Sequence, residues 1–166
     1  MTIETGQTIP LANLQHIHND TVQEVSTAEL FDGRKVVLFA VPGAFTPTCS
    51  EAHLPGYIQH MDAFRALGVD VIGIAVNDAY VMDAWAKIQG APEDLRLLAD
   101  GNAVFTRELG LERDASAYGM GLRSKRFDLY VEDGVAQIVN VEAPGEFRVS
   151  SAEHVLEQLQ ERKKHQ

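Results

Sequence analysis

Two nearly uninterrupted apolar runs of strand length leave this chain few ways to fold. Val36-Val37-Leu38-Phe39-Ala40-Val41 offers no polar residue to either face, and Val69 to Val76 is broken only by Asp70 and Gly73. Successive side chains of a strand point to opposite faces, so such runs need cover on both. That is the setting of central strands in a parallel sheet with helices above and below. Neither run approaches the ~20 residues of a membrane span. The segments around them read as helices. Ser26-Thr27-Ala28-Glu29 has the spacing of a capping box and opens a short helical turn, which Asp32-Gly33 ends. A helix from Cys49 to about Leu67 is expected, interrupted at Pro55-Gly56 and stopped at Gly68. Asn77-Asp78 can cap a helix over 79–89, which Gly90 and Pro92 end.

The second half continues the alternation. Leu95 to Ala99 reads as a third strand and Asn102 to Leu109 as a short helix closed by Gly110. Asp133-Gly134 stands between strands at 127–132 and 135–141, which predicts a hairpin and an antiparallel edge. Ser150-Ser151-Ala152-Glu153 is a second capping box, starting a helix that puts Val155, Leu156 and Leu159 on one face. The start of the chain is polar and gives no element, and the polar end from Glu161 to Gln166 reads as a solvated tail. The expected fold class is α/β, one domain over residues 1–166, with a mixed central sheet flanked by helices.

Composition narrows the function classes. With 14 Lys+Arg against 24 Asp+Glu, the net charge of −10 lacks the basic footprint of a nucleic-acid binder. Met1 to Gln7 is polar and has no charged-then-apolar leader, so the expected location is the cytoplasm. The single cysteine excludes an internal disulfide and a cysteine-cluster zinc site. His16-x-His18 lacks neighbouring acidic or sulfur ligands and reads as a surface pair; no metal or cofactor is expected.

Cys49 therefore has to be judged by its surroundings. A lone cysteine is as often a small buried apolar residue as a reactive one. This one lies where a loop leaving a buried strand becomes a helix, the usual place for a site in an open α/β sheet. Unpaired amides of a helix's first turn favour a thiolate there. His53, one turn later, suggests a Cys–His protease pair, but such pairs draw their histidine from elsewhere in the chain.

Pro42-Gly43-Ala44-Phe45-Thr46-Pro47-Thr48-Cys49 contains the P-x-x-x-T-x-x-C pattern of peroxiredoxins. With Ser50 and His53-Leu54-Pro55-Gly56-Tyr57 it resembles the type II (atypical, five-type) branch. The resemblance runs on through Val76-Asn77-Asp78, Leu98-Ala99-Asp100-Gly101, Ser124-Lys125-Arg126-Phe127 and Val141-Glu142, nearly the whole chain. It implies a thioredoxin-like fold and a thiol peroxidase acting on hydrogen peroxide and organic hydroperoxides. Cys49 would be the nucleophile, Thr46 would hydrogen-bond the peroxide, and Pro42 would shield the thiolate. Arg126, directly before a strand, matches the family's arginine; Arg123, three residues earlier, competes for that role.

Many relatives resolve the oxidised cysteine with a second one, and this chain has none. An external thiol must then reduce the Cys49 sulfenic acid before it is over-oxidised. Glutathione with glutaredoxin, or thioredoxin, is the expected partner. Members of this branch form homodimers, with Phe45 and Trp85 as candidate contact residues, Trp85 being equally a candidate for ordinary core packing. The competing reading is a non-enzymatic peroxide sensor or redox-dependent binding module using Cys49. It explains Pro42, Thr46 and Arg126 less well, because a sensor needs a reactive thiolate but not turnover.

Overall fold

In the computed structural model, which describes residues 2–165, the apolar runs form adjacent strands at the centre of one seven-stranded sheet. A hairpin of β1 (Asn13–His18) and β2 (Thr21–Ser26) comes first, then α1 (Thr27–Phe31) and β3 (Lys35–Ala40). A π-helical turn at Cys49–His53 leads into α2 (Leu54–Gln59) and α3 (Met61–Ala66). β4 (Asp70–Ala75), α4 (Ala79–Gln89), β5 (Leu95–Ala99) and α5 (Val104–Leu109) follow. A small ribbon pairs β6 (Glu112–Asp114) with β7 (Leu122–Ser124). β8 (Phe127–Glu132), β9 (Val135–Val141) and α6 (Ala152–Lys164) complete the order. The sheet runs β2-β1-β5-β4-β3-β8-β9, with β3, β4 and β5 parallel and the rest antiparallel.

Both faces of the centre are covered. Val37, Phe39, Val71 and Leu97 pack under α2, α3, α4 and α6, while Val36, Leu38, Ile72 and Leu98 face the side of α1 and α5. This two-sided burial is why the sequence shows runs rather than alternation.

The structure differs from the expectations at several points. The polar start is a hairpin: Asn19 and Asp20 both take positive φ (52° and 61°), the geometry of a primed two-residue turn. Only Leu14 and Val25 of its strands are buried, so alternation was too faint to read. The helix after Cys49 breaks at His60, not at Pro55-Gly56, because Pro55 sits in the first turn of α2, where its missing N–H is not needed. The last helix is capped by Ser151, whose hydroxyl accepts from His154 N; Ser150 Oγ is bonded to Glu142 instead. Asp78 alone caps α4, leaving Asn77 for another purpose. The α5 helix starts at Val104 behind a left-handed Ala103, and α6 absorbs most of the expected tail, whose Gln166 lies outside the described residues. No helix among the described residues is long and apolar enough to cross a membrane.

One glycine links this packing to the site. Gly73 pairs with Phe39 and Leu97 across β4, and a Cβ there would stand 2.6 Å from side-chain atoms of both. The Phe39 ring that occupies this space stacks on Tyr57, at 4.2 Å between centroids, and tilts against His53 at 5.2 Å. Gly73→Ala is expected to lower unfolding stability by about 1–3 kcal/mol through overpacking. A urea midpoint equal to wild type would show that Phe39 moves freely.

Candidate active site

The site begins where β3 ends. Pro42 to Thr48 carries the chain over the sheet edge, turning at Phe45, which holds a left-handed φ of 67° rarely accepted by a side chain. Asn77 Oδ1 accepts a hydrogen bond from Ala44 N (3.0 Å) and so ties the loop to the end of β4. Trp85 Nε1 donates to Ser50 Oγ (2.9 Å), anchoring the residue after the cysteine to α4. Trp85 is fully buried, which removes it from any contact surface; Phe45, 48% exposed, remains available for one.

Cys49 is wholly buried, and two donors meet its sulfur. Thr46 Oγ1 lies 2.8 Å from Sγ and 2.7 Å from Gly43 O, so its one proton faces two acceptors when the sulfur is a thiolate. Arg126 Nη2 donates to Sγ at 3.0 Å. Arg123 does not reach the sulfur. Its Nη1 donates to Val76 O and its Nε to Met120 O, both at 2.9 Å, bracing the backbone beside the loop. Pro42 lines a cavity of about 180 Å³ together with Thr48 and Arg126. Thr46 and Arg126 therefore meet Cys49 from two distant stretches of chain, and Pro42 joins them through the cavity wall that it shares with Arg126.

His53 bonds to the arginine, not to the cysteine. The π-helical turn and α2 bury it, and Arg126 Nη1 donates to its Nδ1 at 2.9 Å. Its Nε2 lies 2.8 Å from Ser150 O. A carbonyl only accepts, so the ring carries its proton on Nε2 and is neutral, with Nδ1 free to fix the guanidinium. The pairing is legible only once the helix is known to be locally wound wider than α.

A second layer holds the other side of the arginine, and the sequence reading missed it. The buried Glu142 carboxylate accepts from the backbone N–H groups of Arg148, Val149 and Ser150 and from Ser150 Oγ, at 2.7–2.9 Å. Burial would raise its pKa, but these donors hold it below the usual carboxylate range. The clamp places Phe147 against the Arg126 guanidinium (5.8 Å) and against His53 (5.0 Å). Beneath them Tyr57 donates to Asp128 Oδ2 at 2.7 Å, and Asn140 donates to Oδ1 at 2.8 Å.

Two buried groups here oppose each other with pH. Burial pushes the Asp128 carboxyl from 3.8 up to about 7, despite its hydrogen bonds. Burial and then the Arg126 charge push His53 from 6.5 down to about 3, against the bond to Ser150. From 3.8 to about 7 the folded protein keeps a proton on Asp128 that the unfolded chain has lost, so stability falls as pH rises. From about 3 to 6.5 the unfolded chain holds a proton on His53 that the folded protein lacks, so stability rises. In the shared window the two offset. Relative to wild type, Asp128→Asn should gain stability across that window as pH rises and His53→Gln should lose it, each by up to about 1.4 kcal/mol per pH unit. Urea titrations from acid to neutral pH read this directly; variant curves parallel to wild type would mean neither proton is held as described.

His16 and His18 stack on β1, 6.0 Å between centroids and far from this site in the sheet order. No cluster of three or more His, Cys, Asp or Glu suited to a metal occurs among the described residues.

Comparison with known proteins agrees over almost the full length. The family model described as Redoxin matches residues 4–156. The chain is 48% identical over 164 residues to Peroxiredoxin-2E-2, chloroplastic, of Oryza sativa subsp. japonica, covering 95% of this chain and 73% of that one. It is 43% identical to Peroxiredoxin-2B of Arabidopsis thaliana, covering 95% and 98%. Among solved structures, reduced Prx3 in complex with H2O2 from Vibrio vulnificus superposes with a TM-score of 0.91 at 52% identity, covering 95% of this chain and 99% of that one. Fold, a thiol flanked by two donors, and relatives converge: the chain belongs to the redoxin family as a type II peroxiredoxin with the thioredoxin-like fold, a thiol-dependent peroxidase.

Proposed function

We propose that the peroxidase cycle runs through Cys49 alone, with an outside thiol closing it. The observation that carries this reading is the sulfur held between Thr46 and Arg126 in a chain with no second cysteine. The thiolate attacks the distal oxygen of a hydroperoxide. An S–O bond forms as the O–O bond breaks, giving sulfenic acid and an alkoxide or hydroxide that takes up a proton. The sulfur loses two electrons and the peroxide gains them.

Each neighbour has a part. Arg126 spans the sulfur and the two oxygens, and its fixed fork follows charge as it moves to the leaving atom. Thr46 can give its proton to Gly43 O and accept the peroxide O–H, which orients the substrate without titrating. Pro42 walls the site against bulk water. His53 and Phe147 act through Arg126 as positioning residues. Glutathione with glutaredoxin, or a thioredoxin, then reduces the sulfenic acid. The protein works as a homodimer in this reading, supported by the exposed Phe45 beside the site. A monomer mass in sedimentation equilibrium at micromolar concentration would remove that part.

Pre-reduced protein mixed with substoichiometric hydrogen peroxide tests the cycle. Rapid peroxide loss, one added oxygen at Cys49 and its removal by glutathione with glutaredoxin, or by thioredoxin, are expected. A rate no greater than that of free cysteine, with the thiol unchanged, would sink the mechanism.

A further inference from the structure

The cavity that Arg126 shares with Pro42 and Thr48 contains more than hydrogen peroxide needs. Besides Pro42, Thr48 and Arg126, its wall includes Pro144 and Phe147, an apolar surface, and the cations Arg113 and Lys125. Both cations are half-buried. Among the described residues neither has a carboxylate within 4.0 Å nor a side-chain hydrogen bond, although the chain carries ten more acidic than basic residues. Arg113 only rests over the exposed ring of Tyr118, at 5.6 Å.

The two acids that share the wall do not neutralise them. Glu142 spends its oxygens on the amides of residues 148–150, and Glu146 faces Arg148 at 4.0 Å. The ribbon and its exit strand fix the arrangement: Arg113 lies on β6, and Lys125 follows β7 with its N–H bonded to Leu111 O. Two half-buried cations without a carboxylate partner on one apolar cavity wall can offer charge-assisted hydrogen bonds to an anion.

We propose that this cavity binds the body of an organic hydroperoxide that ends in a carboxylate. The hydrocarbon part lies against Pro42, Pro144 and Phe147, the carboxylate meets Arg113 and Lys125, and the hydroperoxide reaches Arg126 and Cys49. Glutathione also carries carboxylates, but its polar backbone gains little from the apolar wall. The inference rests on the peroxidase reading above and deepens it to a substrate class.

The test compares three oxidants on pre-reduced protein in a stopped flow: hydrogen peroxide, a medium-chain hydroperoxy fatty acid and its methyl ester. The single tryptophan, bonded to the residue after Cys49, serves as the fluorescent reporter, with quenched samples weighed. At low salt the acid should react about tenfold faster than its ester, the size of one charge-assisted contact. That advantage should vanish in Arg113→Met/Lys125→Met and persist in Lys164→Met, which removes a distant exposed charge. Lys125→Met alone, should the double variant fold poorly, is expected to lower the ratio severalfold.

Equal rates for acid and ester, with hydrogen peroxide still fast, overturn the inference and leave the peroxidase intact. Failure of all three oxidants overturns both. If the substitutions slow only the reduction of sulfenic acid by glutathione, the carboxylate belongs to the thiol, and the hydroperoxide assignment is wrong.

Discussion

Cys49→Ser is expected to abolish peroxide turnover while leaving the fold in place. The hydroxyl that replaces the thiol is nearly the same shape and still meets Thr46 and Arg126, so the buried position keeps its hydrogen-bond partners. What disappears is the nucleophile. A serine hydroxyl is not ionised at neutral pH, and no general base contacts the position; His53 has its proton on the far nitrogen and its lone pair committed to Arg126. The chain has no other cysteine to substitute. Peroxide consumption under excess reductant should fall to the rate without protein, with an unfolding midpoint close to wild type. Retained turnover in a folded variant would refute the mechanism.

The fold was legible where burial writes itself into sequence. β3, β4 and β5 announce themselves because both faces are covered, and the Asp133-Gly134 hairpin because Asp133 and Gly134 both need positive φ. The β1–β2 hairpin was not legible, since an edge exposes most of its residues. Of the proposed site, Cys49, Thr46, Pro42 and Arg126 were assigned through a spacing pattern and a family likeness, and the structure puts Thr46 and Arg126 on the Cys49 sulfur. Periodicity would not have brought Arg126 to Cys49, 77 residues earlier. The supporting layer stayed hidden for a related reason. Glu142 acts through backbone amides of 148–150, which carry no residue signature, and His53 acts through a π-helical turn that an α-helical reading of spacing misplaces. Asn77, which the sequence pairs with Asp78 as a cap, instead accepts from Ala44 N and holds the loop before Cys49.

That hidden layer is why the proposed mechanism assigns the chemistry to Arg126 and not to its neighbour. Arg126 and Arg123 are three residues apart and both half-buried, yet their partners differ in kind. Arg123 binds only carbonyls, Val76 O and Met120 O, and its loss loosens the backbone under the loop. Arg126 is held from three sides: Nη1 on His53, Nη2 on the sulfur and Phe147 across its plane. Lysine in its place keeps the charge but not the fork. An ammonium can sit on His53 Nδ1 or near the sulfur, and it cannot span both while following charge to the leaving oxygen. Arg126→Lys should therefore slow the second-order reaction with hydrogen peroxide by roughly 100- to 1,000-fold, the cost of losing a preorganised donor to developing charge. Arg123→Lys should cost under about tenfold, with a lower unfolding midpoint. Stopped-flow oxidation of both variants, at several pH values, separates a loss of thiolate from a loss of donor geometry, because only the former is recovered at high pH. A larger rate loss in Arg123→Lys, or full recovery of Arg126→Lys at alkaline pH, would mean that the guanidinium contributes charge to the sulfur and no geometry to the transition state.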